Sequence, residues 1–260
     1  MSLPIKLIST DFDGTLFAEF ENPPIPHRLA DLLGTLQAQG AKWVINTGRE
    51  MASLMEALAR ARLPVQPDYL VLVEREIHRH DGVRYVGLDG WNKRCHRDHE
   101  VLFDCVRPDM PALMEWVNDN FDATVYSDSW SPFCLIAGNN SDADRIEVRL
   151  NAFCQRFPDL AVVRNDVYAR FCHASYNKGV ALAELTRLEQ LASDQVFAAG
   201  DHLNDLPMLQ SRFARHLVAP RNSIAEVQTQ VLAQGGFVSE KRCGEGVLEG
   251  LEKALAAYGS

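Results

Sequence analysis

Short apolar runs, each ending in a polar residue or glycine, alternate with amphipathic stretches of about a dozen residues over both ends of this chain. Ile5–Thr10, Lys42–Asn46, Tyr69–Val73, Gln195–Ala199 and His216–Val218 have the length and apolar character of buried strands. Between them, His27–Gln39 (closed by Gly40), Glu50–Arg62, a segment from Lys178 and a segment near 203–211 carry helical periodicity. Strands separated by helices cannot pair as hairpins. They are joined by crossovers, which makes the sheet parallel and places helices on its faces. The rhythm breaks near residue 82. Asp81-Gly82 and Asn165-Asp166 read as hairpin turns. Between them lie helical stretches at about 97–119 and 141–156 and strands at Ala123–Ser127 and Phe133–Ala137. The expected fold is therefore α/β: a Rossmann-like parallel-sheet core from residues 1–81 and 173–260, and an inserted α+β domain over 82–172.

Composition narrows the functional classes. Hydrophobic residues make up 47% and charged residues 23% of the 260, which suits a packed globular chain. Lys and Arg number 26 against 35 Asp and Glu, a net charge of −9, which disfavours non-specific nucleic-acid binding. Apolar runs such as Tyr69–Val73 are strand-length, so no membrane span is expected, and no signal peptide is read at the N-terminus. Six cysteines without a Cys-x-x-Cys pair fit reduced thiols, hence a cytoplasmic protein.

Chemistry-bearing residues collect after the strands, where open parallel sheets place their ligands. Asp11-Phe-Asp13-Gly-Thr puts two carboxylates around a turn that Gly14 permits. Thr47-Gly48 offers a hydroxyl and backbone N–H groups for an anionic oxygen, with Thr47 also a cap for the next helix. Lys178, at a helix start, needs a nearby anion because that end of a helix disfavours cations. Asp201 and Asp205, four apart on an expected helix, would share a face, and their hard oxygens suit Mg²⁺. Each signal alone has a bland explanation: an Asp-rich turn, a cap, an exposed Lys, a solvated Arg49. Their common position at the strand ends of one sheet favours a site.

Asp11-Phe-Asp-Gly-Thr-Leu16, Thr47-Gly-Arg49, Asn177-Lys-Gly179 and Gly200-Asp-His-Leu-Asn-Asp205 together resemble the haloacid dehalogenase superfamily phosphatases. The likeness is to their Cof-like and sucrose-phosphatase-like branch, with a type 2 cap after the third core strand. It implies that Asp11 is the nucleophile forming an aspartyl-phosphate and Asp13 the general acid and base. Thr47, Gly48, Arg49 and Asn204 would contact substrate, and Lys178 would neutralise charge. Mg²⁺ would sit on Asp11, the Asp13 carbonyl and Asp201, with Asn204 and Asp205 close by or acting through water. The expected reaction is hydrolysis of a small phosphorylated metabolite, a sugar phosphate, by a monomer or homodimer without nucleic-acid or membrane partners. A phosphomutase and a non-catalytic regulatory protein are the alternatives.

Two departures from the branch stand out. Val73-Glu-Arg-Glu-Ile77 replaces the Asn-Gly-Ala string usual in Cof-like relatives, keeping only the Glu-Ile of the sucrose phosphatases. In the insert's last strand, Tyr168-Ala-Arg170-Phe-Cys-His173 supplies a cation suited to a carboxylate or second phosphate, or else a solvated arginine. The Trp130 turn is another candidate contact. A zinc site from His78 and His80, or from Cys95, His96 and His99, lacks a standard spacing and is not favoured.

Overall fold

The computed structural model describes residues 3–258, which divide into two compact units. Among them, one unit runs up to Leu88 and resumes at Asn177, and the other is Asp89–Tyr176. In the first, β1 (Leu7–Thr10), β2 (Lys42–Asn46) and β3 (Tyr69–Leu72) alternate with α1 (His27–Ala38) and α2 (Met51–Ala61). A hairpin of β4 (Glu76–His80) and β5 (Tyr85–Gly87) follows. After the insert come α6 (Lys178–Leu188), β10 (Val196–Ala199), β11 (His216–Ala219), α7 (Ala225–Ala233), β12 (Phe237–Val238) and α8 (Cys243–Ala256). The eight strands form one sheet in the order β12-β11-β10-β1-β2-β3-β4-β5. All pairings up to β3 are parallel, and β4 and β5 are antiparallel additions.

Ile8, Trp43, Ile45, Leu70, Leu72 and Phe197 pack with Leu29 and Leu33 of α1, Leu54 of α2 and Leu251 of α8. Strand residues of opposite parity (Leu7, Val44, Val71, Val196, Leu217) are also buried, so both faces are covered, as a parallel sheet requires. β1 lies between β2 and β10, so the loops after these three strands emerge side by side.

The second unit is a four-stranded antiparallel sheet, β6-β7-β9-β8, made by β6 (Ala123–Tyr126), β7 (Cys134–Ala137), β8 (Leu160–Asn165) and β9 (Tyr168–His173). α3 (Asp89–Val106), α4 (Met110–Asn120) and α5 (Asn140–Cys154) contribute Phe103, Leu113, Ile146 and Leu150 to a core with Leu135 and Phe171. The other strand parity carries Tyr126, Cys134, Tyr168 and Arg170, with both tyrosines exposed.

Three expectations change. The hairpin over Asp81-Gly82 belongs to the core sheet, because β4 pairs with β3, so the units part at 88/89 and 176/177 rather than at 82 and 172. The helical stretches expected at about 97–119 begin earlier, at Asp89, and are parted by a short turn at Arg107–Asp109 that contains Pro108, which has no N–H to continue the first. The helix near 203–211 is a single tight turn, Leu203–Asp205; Pro207 follows and cannot extend it as a donor. Among the described residues no helix is long and apolar enough to cross a membrane, and all six cysteines are free.

Close backbone packing behind α6 yields a direct test. A Cβ on Gly179 would lie 2.2 Å from the Pro207 carbonyl oxygen, a backbone atom that cannot swing away. Gly179→Ala is expected to lose roughly 1–3 kcal/mol of stability by overpacking, measured by urea denaturation.

Candidate active site

Phe12 is fully buried and stacks on Phe17 (ring centroids 4.8 Å apart), so its neighbours Asp11 and Asp13 leave the end of β1 on the opposite side. Asp11 is buried, and one of its oxygens accepts from Lys178 Nζ at 2.5 Å. The same ammonium donates to Asp205 at 2.6 Å and has no exposed surface. Burial alone would push the Lys178 pKa down. The carboxylates of Asp11 and Asp205 overcome that and hold it above its ordinary value. Asn177 caps α6 by accepting from the Gly179 and Val180 N–H groups, both at 3.0 Å. The Lys178 carbonyl accepts from Asn46 Nδ2 at 3.0 Å, tying α6 to the end of β2.

Asp201 rests against the Asp13-Gly14-Thr15 turn. It accepts from the Thr15 hydroxyl at 2.7 Å, and a Cβ on Gly14 would come within 2.5 Å of its Oδ2. Gly14 is also left-handed, with φ +74°, so the turn requires glycine twice over. Asp205 does not share a helix face with Asp201. Its Oδ2 folds back to accept from the Asp201 and His202 N–H groups at 2.8 and 3.0 Å, while Oδ1 takes Lys178.

Burial first, then Asp205, raise the Asp11 carboxyl well above the usual range, partly offset by Lys178. Burial and Asp205 likewise push Asp201 up to about 7. Among the described residues, Asp11, Asp201 and Asp205 are the only group of three or more ligand-type side chains that could hold a metal, with ligand oxygens within 4.8 Å of one another. Asn204 donates Nδ2 to Glu74 at 2.8 Å, leaving its Oδ1 buried with no hydrogen-bond partner. An all-oxygen, anion-rich donor set with an uncommitted carbonyl oxygen fits Mg²⁺.

Thr47 is buried, but it does not cap α2. Its Oγ1 accepts from the Arg49 N–H at 3.1 Å, and Glu50 occupies the cap position. Gly48 has Glu74 Oε1 only 3.1 Å from where a Cβ would sit. Arg49 grips Asp13 with two bonds, Nε–Oδ2 at 2.8 Å and Nη2–Oδ1 at 2.7 Å. Its third nitrogen reaches Ser53 Oγ at 3.1 Å. Sequence reasoning passed over Thr15, Asn46, Glu74 and this Arg49–Asp13 pair. Thr15 was visible in the Asp-Gly-Thr string, whereas the other contacts join residues far apart in the chain.

Arg170 belongs to the insert. It pairs with Asp128 at 3.6 Å and keeps its Nη1 buried without a hydrogen-bond partner. Trp130 lies in the same turn, its N–H donating to Asp128 Oδ1. The zinc reading finds no support. The two ring nitrogens of His99 meet the Cys95 carbonyl oxygen (2.8 Å) and the His173 N–H (3.1 Å), and His96 faces Glu100.

The profile of the haloacid dehalogenase-like hydrolases matches residues 105–251, more than half of the chain. The chain belongs to that family. The sucrose-6F-phosphate phosphohydrolase profile matches residues 4–113. The enzyme is a phosphatase. No curated protein matches it by sequence. Among solved structures it is similar to a sucrose-phosphatase from Synechocystis in complex with sucrose and phosphate, at 17% identity and a TM-score of 0.72 over 95% of this chain and 97% of that one. A haloacid dehalogenase-like hydrolase from Bacteroides thetaiotaomicron aligns at 19% identity and TM-score 0.64, over 96% and 99%. A second Bacteroides thetaiotaomicron protein, from a study of phosphatases of this superfamily, aligns at 21% and 0.63, over 98% and 95%. At these identities the likeness is one of fold.

In this phosphatase, removing the Lys178 ammonium strands buried carboxylates. Lys178→Met is expected to cost about 3–5 kcal/mol at pH 8. The loss should be smaller near pH 5. Lys178 holds the Asp11 and Asp201 carboxyls down, so its removal lets both rise further, and acid then neutralises the charges it strands. Urea melts at both pH values without divalent cation measure the difference.

Proposed function

We propose that this enzyme is a Mg²⁺-dependent phosphomonoester hydrolase that acts on a small phosphorylated metabolite, a sugar phosphate, through an aspartyl-phosphate on Asp11. The observation that carries the reading is the buried Asp11–Lys178–Asp205 contact at the end of the central strand, with Asp201 in reach of the same cation site. The sugar-phosphate class is supported by the sucrose-6F-phosphate phosphohydrolase match over the first part of the chain.

A carboxylate oxygen of Asp11 bonds to phosphorus as the bond to the alcohol oxygen breaks, and Asp13 gives that oxygen its proton. Water then attacks phosphorus and passes its proton to Asp13, and the Asp11–phosphorus bond breaks to release phosphate. Splitting one displacement into two lowers each barrier. Lys178 offsets the charge of Asp11 when a phosphoryl group approaches. Thr47 and Gly48 hold phosphoryl oxygens. Asp13 has both oxygens on Arg49, so it exchanges one of those bonds for the leaving oxygen. Asp11, Asp13 through its carbonyl, Asp201, Asn204 and Asp205 are the residues that would hold Mg²⁺. When bound, Mg²⁺ neutralises charge on the phosphoryl oxygens and helps to orient the group. Choice of the alcohol is assigned to the insert, with Arg170 proposed as the residue that recognises an acidic group on the substrate.

Asp11→Asn should lower phosphate release from p-nitrophenyl phosphate by on the order of 10³-fold or more without lowering the melting temperature, since a buried charge is removed. Retained turnover would refute the nucleophile. Asp13→Ala should cost about 10²–10⁴-fold on an alkyl phosphate and far less on p-nitrophenyl phosphate, whose leaving group needs no proton. Stripping divalent cations with a chelator should stop turnover, and added Mg²⁺ should restore it. Undiminished activity in the chelator would rule out the cation requirement.

A further inference from the structure

Two adjacent residues directly after β3 adopt left-handed backbone, and neither is glycine: Val73 has φ 44° and Glu74 φ 66°. Side chains rarely tolerate this region, a β-branched one least of all. The turn is held against the phosphate-binding loop. The Glu74 N–H donates to the Thr47 carbonyl at 2.9 Å, and the Val73 N–H donates to the Arg49 carbonyl at 3.1 Å. The Glu74 side chain is buried, and it runs past Gly48, where a Cβ would crowd its Oε1 at 3.1 Å. That same oxygen accepts from Asn204 Nδ2 at 2.8 Å.

Glu74 thus places a further carboxylate near the buried Lys178, and its charge helps to keep that lysine protonated. A buried charge among like charges, on strained backbone, weakens a fold. The return is orientation. An asparagine amide can turn over and exchange its N–H₂ and carbonyl ends, but an ionised carboxylate only accepts. Glu74 therefore holds the N–H₂ end toward itself. Oδ1 is left as a buried oxygen without a partner, in the loop that carries Asp201 and Asp205.

We propose that Glu74 is a positioning residue: it locks the Asn204 amide so that its carbonyl oxygen stands ready as an acceptor, and thereby sets the affinity of the Asp11–Asp201–Asp205 centre for a divalent cation. This rests on the cation-dependent reading given above. The test is calorimetric titration of Mg²⁺ into the full chain, with the melting temperature recorded without cation. Glu74→Gly suits the left-handed backbone and removes the buried charge. It should weaken Mg²⁺ binding about tenfold or more while melting no lower than the parent. Glu74→Gln, whose amide can present either its oxygen or its N–H₂ to Asn204, should fall between the parent and Glu74→Gly. The pair Glu74→Gly with Asn204→Ala should bind no more weakly than Asn204→Ala alone.

Undiminished Mg²⁺ binding by Glu74→Gly would overturn the proposal. So would losses that add in the double variant. A melting temperature more than about 5 °C lower for Glu74→Gly would make Glu74 a structural prop, again against the proposal. If the parent protein itself takes up no Mg²⁺, the cation-dependent reading fails and this inference with it. Parent binding with an unaffected Glu74→Gly removes this inference alone.

Discussion

The Lys178 ammonium, buried between Asp11 and Asp205, is the contact on which the rest of the proposed catalytic centre depends. A charge without access to water is tolerated only when opposite charges and hydrogen bonds surround it. Both carboxylates come from loops that follow neighbouring strands, β1 and β10, while the lysine comes from the first turn of α6. Bringing the three together fixes those segments relative to one another. Asn46 reaches the Lys178 carbonyl, Asn177 caps the helix, and Gly179 lets α6 close on the Pro207 carbonyl. Asp205 in turn ties down the N–H groups of Asp201 and His202. The loop after β10 therefore has its shape set by side-chain chemistry more than by helix propensity.

The same centre is electrostatically strained. Acidic groups outnumber the buried cation, and burial together with Asp205 raises both Asp11 and Asp201. Val73 and Glu74 add backbone strain beside Thr47 and Arg49. Such features gather at functional sites because the surrounding fold is rigid enough to hold them. Here the rigidity comes from a parallel sheet buried on both faces, with β1 in its interior. The charges that binding must compensate therefore sit on the best-supported part of the molecule. The Arg49–Asp13 pair lies at the edge of this centre and is partly exposed, which leaves Asp13 free to exchange partners.

The parallel core and the strand-end positions of its candidate site residues could be read from the chain, because both rest on short-range regularities. Strand length, helical period and the placement of polar residues directly after apolar runs are local. They located Asp11, Asp13, Thr47, Lys178, Asp201 and Asp205 in one region of the sheet. The antiparallel insert was visible for the same reason, through the Asn165-Asp166 turn and its short strands.

What the tertiary structure alone decided concerns partners distant in sequence. The β4–β5 hairpin joined the core because the edge of β3 was open to it, a matter of backbone pairing that no local pattern encodes. Asp205 turned back to Asp201 and Lys178 instead of stacking along a helix, because a buried ammonium and bare loop N–H groups competed for it, with Pro207 close behind. Arg49 found Asp13 across 36 residues and Glu74 found Asn204 across 130. Such contacts depend on where side chains meet after packing. Local sequence thus determined which residues stand at the strand ends, while the packed structure determined which of them touch and in what charge state.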